Sequence, residues 1–198
     1  MNSYPDTTIV VLAAGAASRM GESKQLLPYG DSTLLEYHLA LAHSLNPAEV
    51  VCVLGANAAT IQQKIDLGNV RTVLNPDWKS GLSSSLQAGL AQVDGSVSRM
   101  LVMLADQPWV DQNHLRQLLD GNPELTSATL YPHGPGVPAV FPSSWFEDLR
   151  QIDGDKGAKK LLMDRREELR LVHPQILPFD VDTPDDYERL VSGSRKRD

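Results

Sequence analysis

The stretch Val10-Val11-Leu12-Ala13-Ala14-Gly15-Ala16-Ala17-Ser18-Arg19-Met20-Gly21-Glu22-Ser23-Lys24 decides how this chain is read. An apolar run of strand character ends in a loop of small residues, which then presents one arginine and one lysine. Small side chains let the backbone come close to a ligand, and successive N–H groups in such a turn form an anion-binding nest. Two cations beside that nest suit the phosphates of a nucleotide. The spacing excludes two better-known phosphate loops. A Walker A motif needs Lys directly after its second glycine, whereas Gly21 is followed by Glu22-Ser23-Lys24. Gly15 and Gly21 are also too far apart for a dinucleotide fingerprint.

With 198 residues, 41% hydrophobic and 22% charged, the chain suits one α/β domain over 1–198 with a single well-buried core. Residues 1–6 and 193–198 are expected to be flexible ends, the latter carrying Arg195-Lys196-Arg197. No apolar run approaches the roughly 20 residues that span a bilayer, and no basic leader precedes the first strand. The expectation is a cytoplasmic protein without a membrane partner. Cys52, the one cysteine, sits in an apolar run and reads as a small buried residue. A net charge of −7 argues against nucleic acid, since backbone phosphates need a basic surface. An anionic substrate would then depend on a local positive site, which raises the importance of Arg19 and Lys24.

Strand-like and helical segments alternate, the mark of a mostly parallel sheet with helices on both faces. Strands are expected at Ile9–Ala13, Val50–Leu54, Val70–Leu74, Met100–Leu104, Ala128–Tyr131 and Ala139–Phe141, with 176–180 extended. Leu34 to Leu45 has helical spacing behind Asp31 and Ser32 as caps. Further helices are expected at 58–65, 112–119, 145–150, 156–166 and 185–191. Ser84-Ser85-Leu86-Gln87 reads as a capping box that opens a helix through Ala91. Gly134-Pro135-Gly136 and Asp153-Gly154-Asp155 read as loops.

Ligands of open α/β sheets bind beyond the carboxyl ends of the strands. Ala14-Gly15 holds that place on the first strand, and Ala105-Asp106-Gln107-Pro108 holds it after the apolar run Met100–Leu104. A carboxylate there suits Mg²⁺, which prefers oxygen donors, although a helix or loop cap would also explain Asp106. A second acidic group, Asp180-Val181-Asp182-Thr183-Pro184-Asp185-Asp186-Tyr187, is a good helix start in its own right. Hydroxyls and free N–H groups around Gly81, Ser84 and Ser85 could recognise a base or simply cap a helix. Asn57, at the end of the second strand, is placed similarly. The five histidines show no metal-ligand spacing.

Taken together, Leu12-Ala13-Ala14-Gly15 through Arg19-Met20-Gly21 and Lys24, Leu26-Leu27-Pro28, Leu104-Ala105-Asp106-Gln107-Pro108 and Asp180 to Tyr187 resemble the signatures of the molybdenum-cofactor nucleotidyltransferases. The resemblance spans nearly the whole chain and implies a single-domain, Rossmann-like, three-layer α/β/α nucleotidyltransferase fold. It also implies a cytidylyltransferase that moves CMP from CTP to a molybdopterin-type cofactor with Mg²⁺, or Mn²⁺ in its place. By this resemblance Arg19, Lys24 and Asp106 are catalytic. Leu12, Ala13, Ala14, Gly15, Arg19, Lys24, Asn57, Gly81, Ser84 and Ser85 bind nucleotide. Asp106 and Asp182 hold the metal, with Asp180 as the fallback. Gly136, Pro138, Gly154, Asp155 and Gly157 face the acceptor. A transient contact with a molybdoenzyme maturation factor belongs to the same expectation. The competing readings are a guanylyltransferase, a sugar- or isoprenoid-phosphate cytidylyltransferase, and a non-catalytic carrier of the cofactor.

Overall fold

The computed structural model describes residues 3–16, 20 and 23–194. Strand β1 (Tyr4–Ala13) is the axis of the molecule, because its side chains feed both faces of the sheet. Ile9, Val11 and Ala13 join one core cluster, while Val10, Leu12 and Ala14 join the other, the period-2 alternation of a buried strand. The strand starts earlier than the apolar run alone suggests. Tyr4 is buried, its N–H donates to Asn46 O at 3.0 Å and its hydroxyl donates to Asp120 at 2.7 Å, so residues 4–6 are strand and not a flexible end.

A short hairpin, β2 (Pro28–Tyr29) and β3 (Ser32–Thr33), then leads into α1 (Leu34–His43). The cap of α1 is Thr33, not Asp31 or Ser32: its side chain accepts from Glu36 N, and Glu36 answers to the Thr33 N–H in a full capping box. There follow β4 (Pro47–Leu54), α2 (Ala58–Lys64), β5 (Arg71–Leu74), α3 (Leu82–Leu90), β6 (Arg99–Leu104) and α4 (Gln112–Leu119). The second half holds β7 (Ser127–Tyr131), β8 (Gly134–Pro142), α5 (Phe146–Arg150), α6 (Lys159–Asp164), β9 (Arg170–Val172) and α7 (Pro184–Ser194). The seven-stranded sheet has the order β5-β4-β1-β6-β8-β7-β9, and β8 alone runs against its neighbours. Leu35, Leu39, Ile61, Leu115 and Leu118 bring α1, α2 and α4 onto one face. On the other face, Leu86 and Leu90 of α3, Phe146 and Leu149 of α5 and Leu162 of α6 do the same. The result is a single α/β/α domain, as its patterning predicts. Cys52, in β4, is fully buried, and burial pushes its thiol up to about 12. Among the described residues no helix is long and apolar enough to cross a membrane.

Three segments differ from the sequence reading. Gly134-Pro135-Gly136 is the start of β8, not a loop. The β7–β8 register slips between Ala128 and Thr129, and the carbonyls released there find side chains instead. Thr129 Oγ1 donates to Pro138 O at 2.7 Å, and the Tyr131 hydroxyl donates to Val137 O at 2.6 Å. Helix α3 begins at Leu82, so the Ser84 capping box does not form; Ser84 instead donates back to Gly81 O and Asp77 O. The segment 176–180 joins no strand ladder. It leads into a third, smaller cluster in which Val181 and Leu190 of α7 pack on Leu27 and Leu34.

Two buried histidines tie α1 and α4 to this frame. The His38 ring nitrogens face Leu34 O at 2.7 Å and Gln107 O at 3.2 Å. His114 Nε2 meets Thr129 Oγ1 at 2.8 Å; because that hydroxyl is committed to Pro138, the histidine must donate. Burial lowers the pKa of both rings, so the folded protein keeps them neutral while the unfolded chain takes up protons below about pH 6.5. Stability is therefore expected to fall as pH drops from 7.5 to 5.5. Thermal melts would show it, with a shallower slope in His114→Gln; a midpoint that is flat or rises on acidification contradicts this account.

Candidate functional site

The carboxyl ends of β1 and β6 lie side by side, since Leu12 pairs with Leu104 and Ala105 N–H donates to Leu12 O at 3.1 Å. This register sets the glycine loop after β1 beside Asp106 after β6. A third segment joins them: Val181 N–H donates to Asp106 O at 2.9 Å, and the buried Val181 side chain anchors Asp180 and Asp182 on either side of it. Lys24, at the start of a 3₁₀ turn over Lys24–Leu26, reaches into the space between these segments. Its Nζ donates to Asp106 Oδ2 in a very short contact and to Asp182 Oδ1 at 2.9 Å.

The charge balance of this group follows from its burial. Removal from water alone would lower the Lys24 pKa, but the Asp106 and Asp182 carboxylates outweigh it and raise the value, so the ammonium stays charged. Asp180 is pushed up, first by burial and then by the Asp106 charge, while the hydrogen bond from Gln107 Nε2 at 2.9 Å opposes the rise. Asp106 Oδ1 is buried and has no hydrogen-bond partner among the described residues. A buried carboxylate oxygen left bare is costly unless some ligand reaches it.

A cavity of about 470 Å³ opens over this group, lined by 12–16 of the loop, Lys24, Gln25, Trp78, Lys79, Gly81, Leu82, Ser85, Leu104, Ala105, Asp106, Asp155, Asp180 and Asp182. A second, of about 450 Å³, adjoins it and shares Leu12, Leu82, Leu104, Asp155 and Asp180. The second exists because the β6–β8 ladder ends at Val102–Ala139, so that β8 leaves β6 and opens a gap floored by Val102, Leu104 and Val137. Its wall is largely apolar, with Tyr131, His133, Lys156 and Lys159 among the polar groups.

The structure thus brings Leu12, Ala13, Ala14, Gly15, Lys24, Gly81, Ser85, Asp106, Asp180 and Asp182 around one space. Arg19 lies outside the described residues. Asn57 lines neither cavity: it sits at the N-terminus of α2 with its Nδ2 buried and unpartnered. Ser84 also lines neither, its hydroxyl being committed to Gly81, Asp77 and Asn75. Of the residues expected to face an acceptor, Asp155 borders both cavities and Gly136 the second. Pro138, Gly154 and Gly157 stand behind the walls. Gln25, Trp78, Lys79, Gln107 and Tyr131 were not singled out from the sequence. Gln107 did stand within the Leu104-Ala105-Asp106-Gln107-Pro108 motif, and Trp78 and Lys79 shortly before Gly81, but no role was attached to any of them.

Comparison with known proteins gives the family and the fold. The profile of the family described as "MobA-like NTP transferase domain" matches residues 9–169. Nicotine blue oxidoreductase of Paenarthrobacter nicotinovorans is 34% identical over 94% of this chain and 97% of its own length. The molybdenum cofactor cytidylyltransferase of Escherichia coli is 23% identical over 90% of this chain and 92% of its own. Among solved structures, the Mycobacterium sp. strain JC1 homologue of Mycobacterium tuberculosis Rv0371c superposes with a TM-score of 0.89 at 36% identity, covering 98% of this chain and all 100% of that one. The M. tuberculosis Rv0371c complex with manganese gives 0.82 at 34% identity, over 94% of this chain and 98% of that one.

Gly81 is where the wall of the first cavity is most demanding. Its φ of 101° lies in the left-handed region, and a Cβ there would meet Asp155 Oδ1 and come within 2.7 Å of the Gly154 backbone. Gly81→Ala is expected to cost about 1–3 kcal/mol of stability and to push the 154–155 loop off the cavity. Denaturant melts read the first effect and ligand-induced stabilisation the second; an alanine variant as stable as the parent would refute the strain.

Proposed function

Because this chain belongs to the MobA-like NTP transferase family, we propose that it transfers CMP from CTP to the terminal phosphate of a molybdopterin-type cofactor. The observation that carries the proposal is Lys24 held between Asp106 and Asp182 at the mouth of a small-residue loop, beside a second, mostly apolar cavity. The first cavity suits the nucleoside triphosphate and the second the acceptor. The cytidine preference rests on the Leu12-Ala13-Ala14-Gly15 form, on the Ala14 methyl in the cavity wall and on the likeness to the cytidylyltransferase.

A divalent ion fits the residues present. Asp106 Oδ1 is a buried acceptor without a partner among the described residues, and the surrounding donors are carboxylate oxygens, the kind that Mg²⁺ and Mn²⁺ prefer. Among the described residues no three His, Cys, Asp or Glu side chains are grouped to hold an ion unaided, so phosphate oxygens and water would complete its shell. Asp106 and Asp182 would hold it, with Asp180 as the reserve. When bound, the ion would neutralise charge on the α-phosphate. The manganese-containing homologue supports a divalent requirement without fixing which metal serves here.

In the proposed reaction an acceptor phosphate oxygen attacks the α-phosphorus of CTP, a new P–O bond forms, and the α–β bridge breaks to release pyrophosphate. The attacking oxygen is already anionic near neutral pH, so no side chain need remove a proton. The loop N–H groups orient the triphosphate, and Lys24, with Arg19, offsets the charge that gathers on the departing pyrophosphate. Gln107, Tyr131 and Asp155 border the acceptor side and orient what binds there. A cytoplasmic setting and handover to a molybdoenzyme maturation factor would complete the role.

A second reading has its own support, since the relative at 34% identity is named an oxidoreductase. Release of pyrophosphate from CTP and a pterin acceptor favours transfer; consumption of a reduced nicotinamide without pyrophosphate favours redox chemistry and sinks the proposal.

Loss of one such charge contact costs about 2.7–4 kcal/mol at the transition state. Lys24→Ala and Asp106→Ala are therefore each expected to slow turnover about 100-fold or more while remaining folded. Near-parental rates in either variant would remove that residue from the mechanism. Thermal stabilisation by CTP, GTP, UTP and ATP, each with Mg²⁺, with Mn²⁺ or with neither, is expected to be largest for CTP with metal. Equal shifts for the four nucleotides would refute the cytidine preference.

A further inference from the structure

Gln25 follows Lys24 directly and borders the same cavity, yet the residue is only 2% exposed. Its Nε2 donates to two carbonyls of the small-residue loop, Ala13 O at 2.8 Å and Gly15 O at 3.0 Å. Both amide hydrogens are thereby used. The orientation of the amide is itself fixed, because Ser23 Oγ donates to Gln25 Oε1 at 2.7 Å. The amide group is thus satisfied on both its oxygen and its nitrogen, as a buried polar group must be.

The consequence lies in the peptide planes. In a trans peptide the C=O of one residue and the N–H of the next point in opposite directions. Pulling the carbonyls of Ala13 and Gly15 towards Gln25 turns the N–H groups of Ala14 and Ala16 away from it. Ala14 and Ala16 both line the first cavity. Ala14 O is held separately, by Ala56 N–H at 3.2 Å, so the alternate carbonyl is pinned on a different element. With the carbonyls of Ala13, Ala14 and Gly15 tied back, this stretch presents donors and few acceptors to a ligand, which is the condition for an anion nest.

We infer that Gln25 is a positioning residue for the polyphosphate: its amide ties back the loop carbonyls, so that loop N–H groups face the ligand while the adjacent Lys24 supplies the charge. This rests on the nucleotide reading of the same cavity. It adds that the lysine and the nest are built as one unit from neighbouring residues of a single turn. It also predicts a graded effect, because a group acting on phosphates alone should matter more as phosphates are added and should not matter for the nucleoside.

The test measures binding of inorganic triphosphate, CTP, CMP and cytidine to the full chain by calorimetry, with Mn²⁺ present. Gln25→Glu keeps the shape but sets oxygen against two carbonyls; Gln25→Met keeps the bulk and removes the donors. Each variant is expected to weaken triphosphate and CTP about tenfold or more, CMP less, and cytidine not at all, with Glu more severe than Met. If Gln25→Glu fails to fold, Gln25→Met carries the test, supported by Ser23→Ala, which frees the amide and should give a milder loss of the same pattern. Triphosphate affinity within twofold of the parent in a folded Gln25→Met, or an equal loss for cytidine and triphosphate, overturns the inference. Failure of the unaltered protein to bind triphosphate or CTP is a different result: it overturns the nucleotide reading, and Gln25 with it.

Discussion

The ammonium group of Lys24 is the one charge on which the arrangement of the site depends. It joins three segments that lie far apart in the chain: its own turn, the end of β6 at Asp106 and the approach to α7 at Asp182. Without that cation, two carboxylates would face each other across a partly buried space, with Asp180 close behind. Burial makes such repulsion expensive, and it makes the lysine indispensable to the shape of the site as well as to its charge. The same fact gives the site its chemical character. One cation against two carboxylates leaves the group net negative, so a ligand that carries negative charge would bring its own metal and enter by exchange of partners.

The rest of the fold sets where that group stands. The β1–β6 register aligns the loop with Asp106, and the small cluster of Leu27, Leu34, Val181 and Leu190 holds the Lys24 turn and the Asp182 segment against each other. The two cavities owe their adjacency to an interruption in the sheet. Proline in β8 cannot donate to a ladder, and beyond Ala139 the strand departs from β6. Thr129 and Tyr131 hydroxyls take over the bonding there, so the gap stays open without orphaned carbonyls.

Much of this was legible in the residues themselves, because it depends on short-range pattern. The unbroken apolar runs of β1 and β6 and the spacing in α4 each predict the element that forms. Asp106 and Asp182 were legible as acids at strand and helix ends. What escaped was decided by partners distant in sequence. Gly134-Pro135-Gly136 carries strong loop punctuation, and it is strand because it pairs with Thr129–Tyr131 of β7. Ser84 fits a capping pattern, yet the positive φ of Gly81 starts the helix earlier and turns that hydroxyl back. Gln25 gives no signal at all, since one glutamine in a polar turn acquires its role only when β1 ends beside it.

Cys52 has a practical bearing. Held at about 12 within β4, its thiol is almost wholly protonated at neutral pH and shielded from reagents, so it is a poor nucleophile and an unsuitable electron carrier. For the experimenter the same inertness is useful: a cysteine introduced at the cavity rim would be the sole alkylatable position, ready for a fluorophore or spin label.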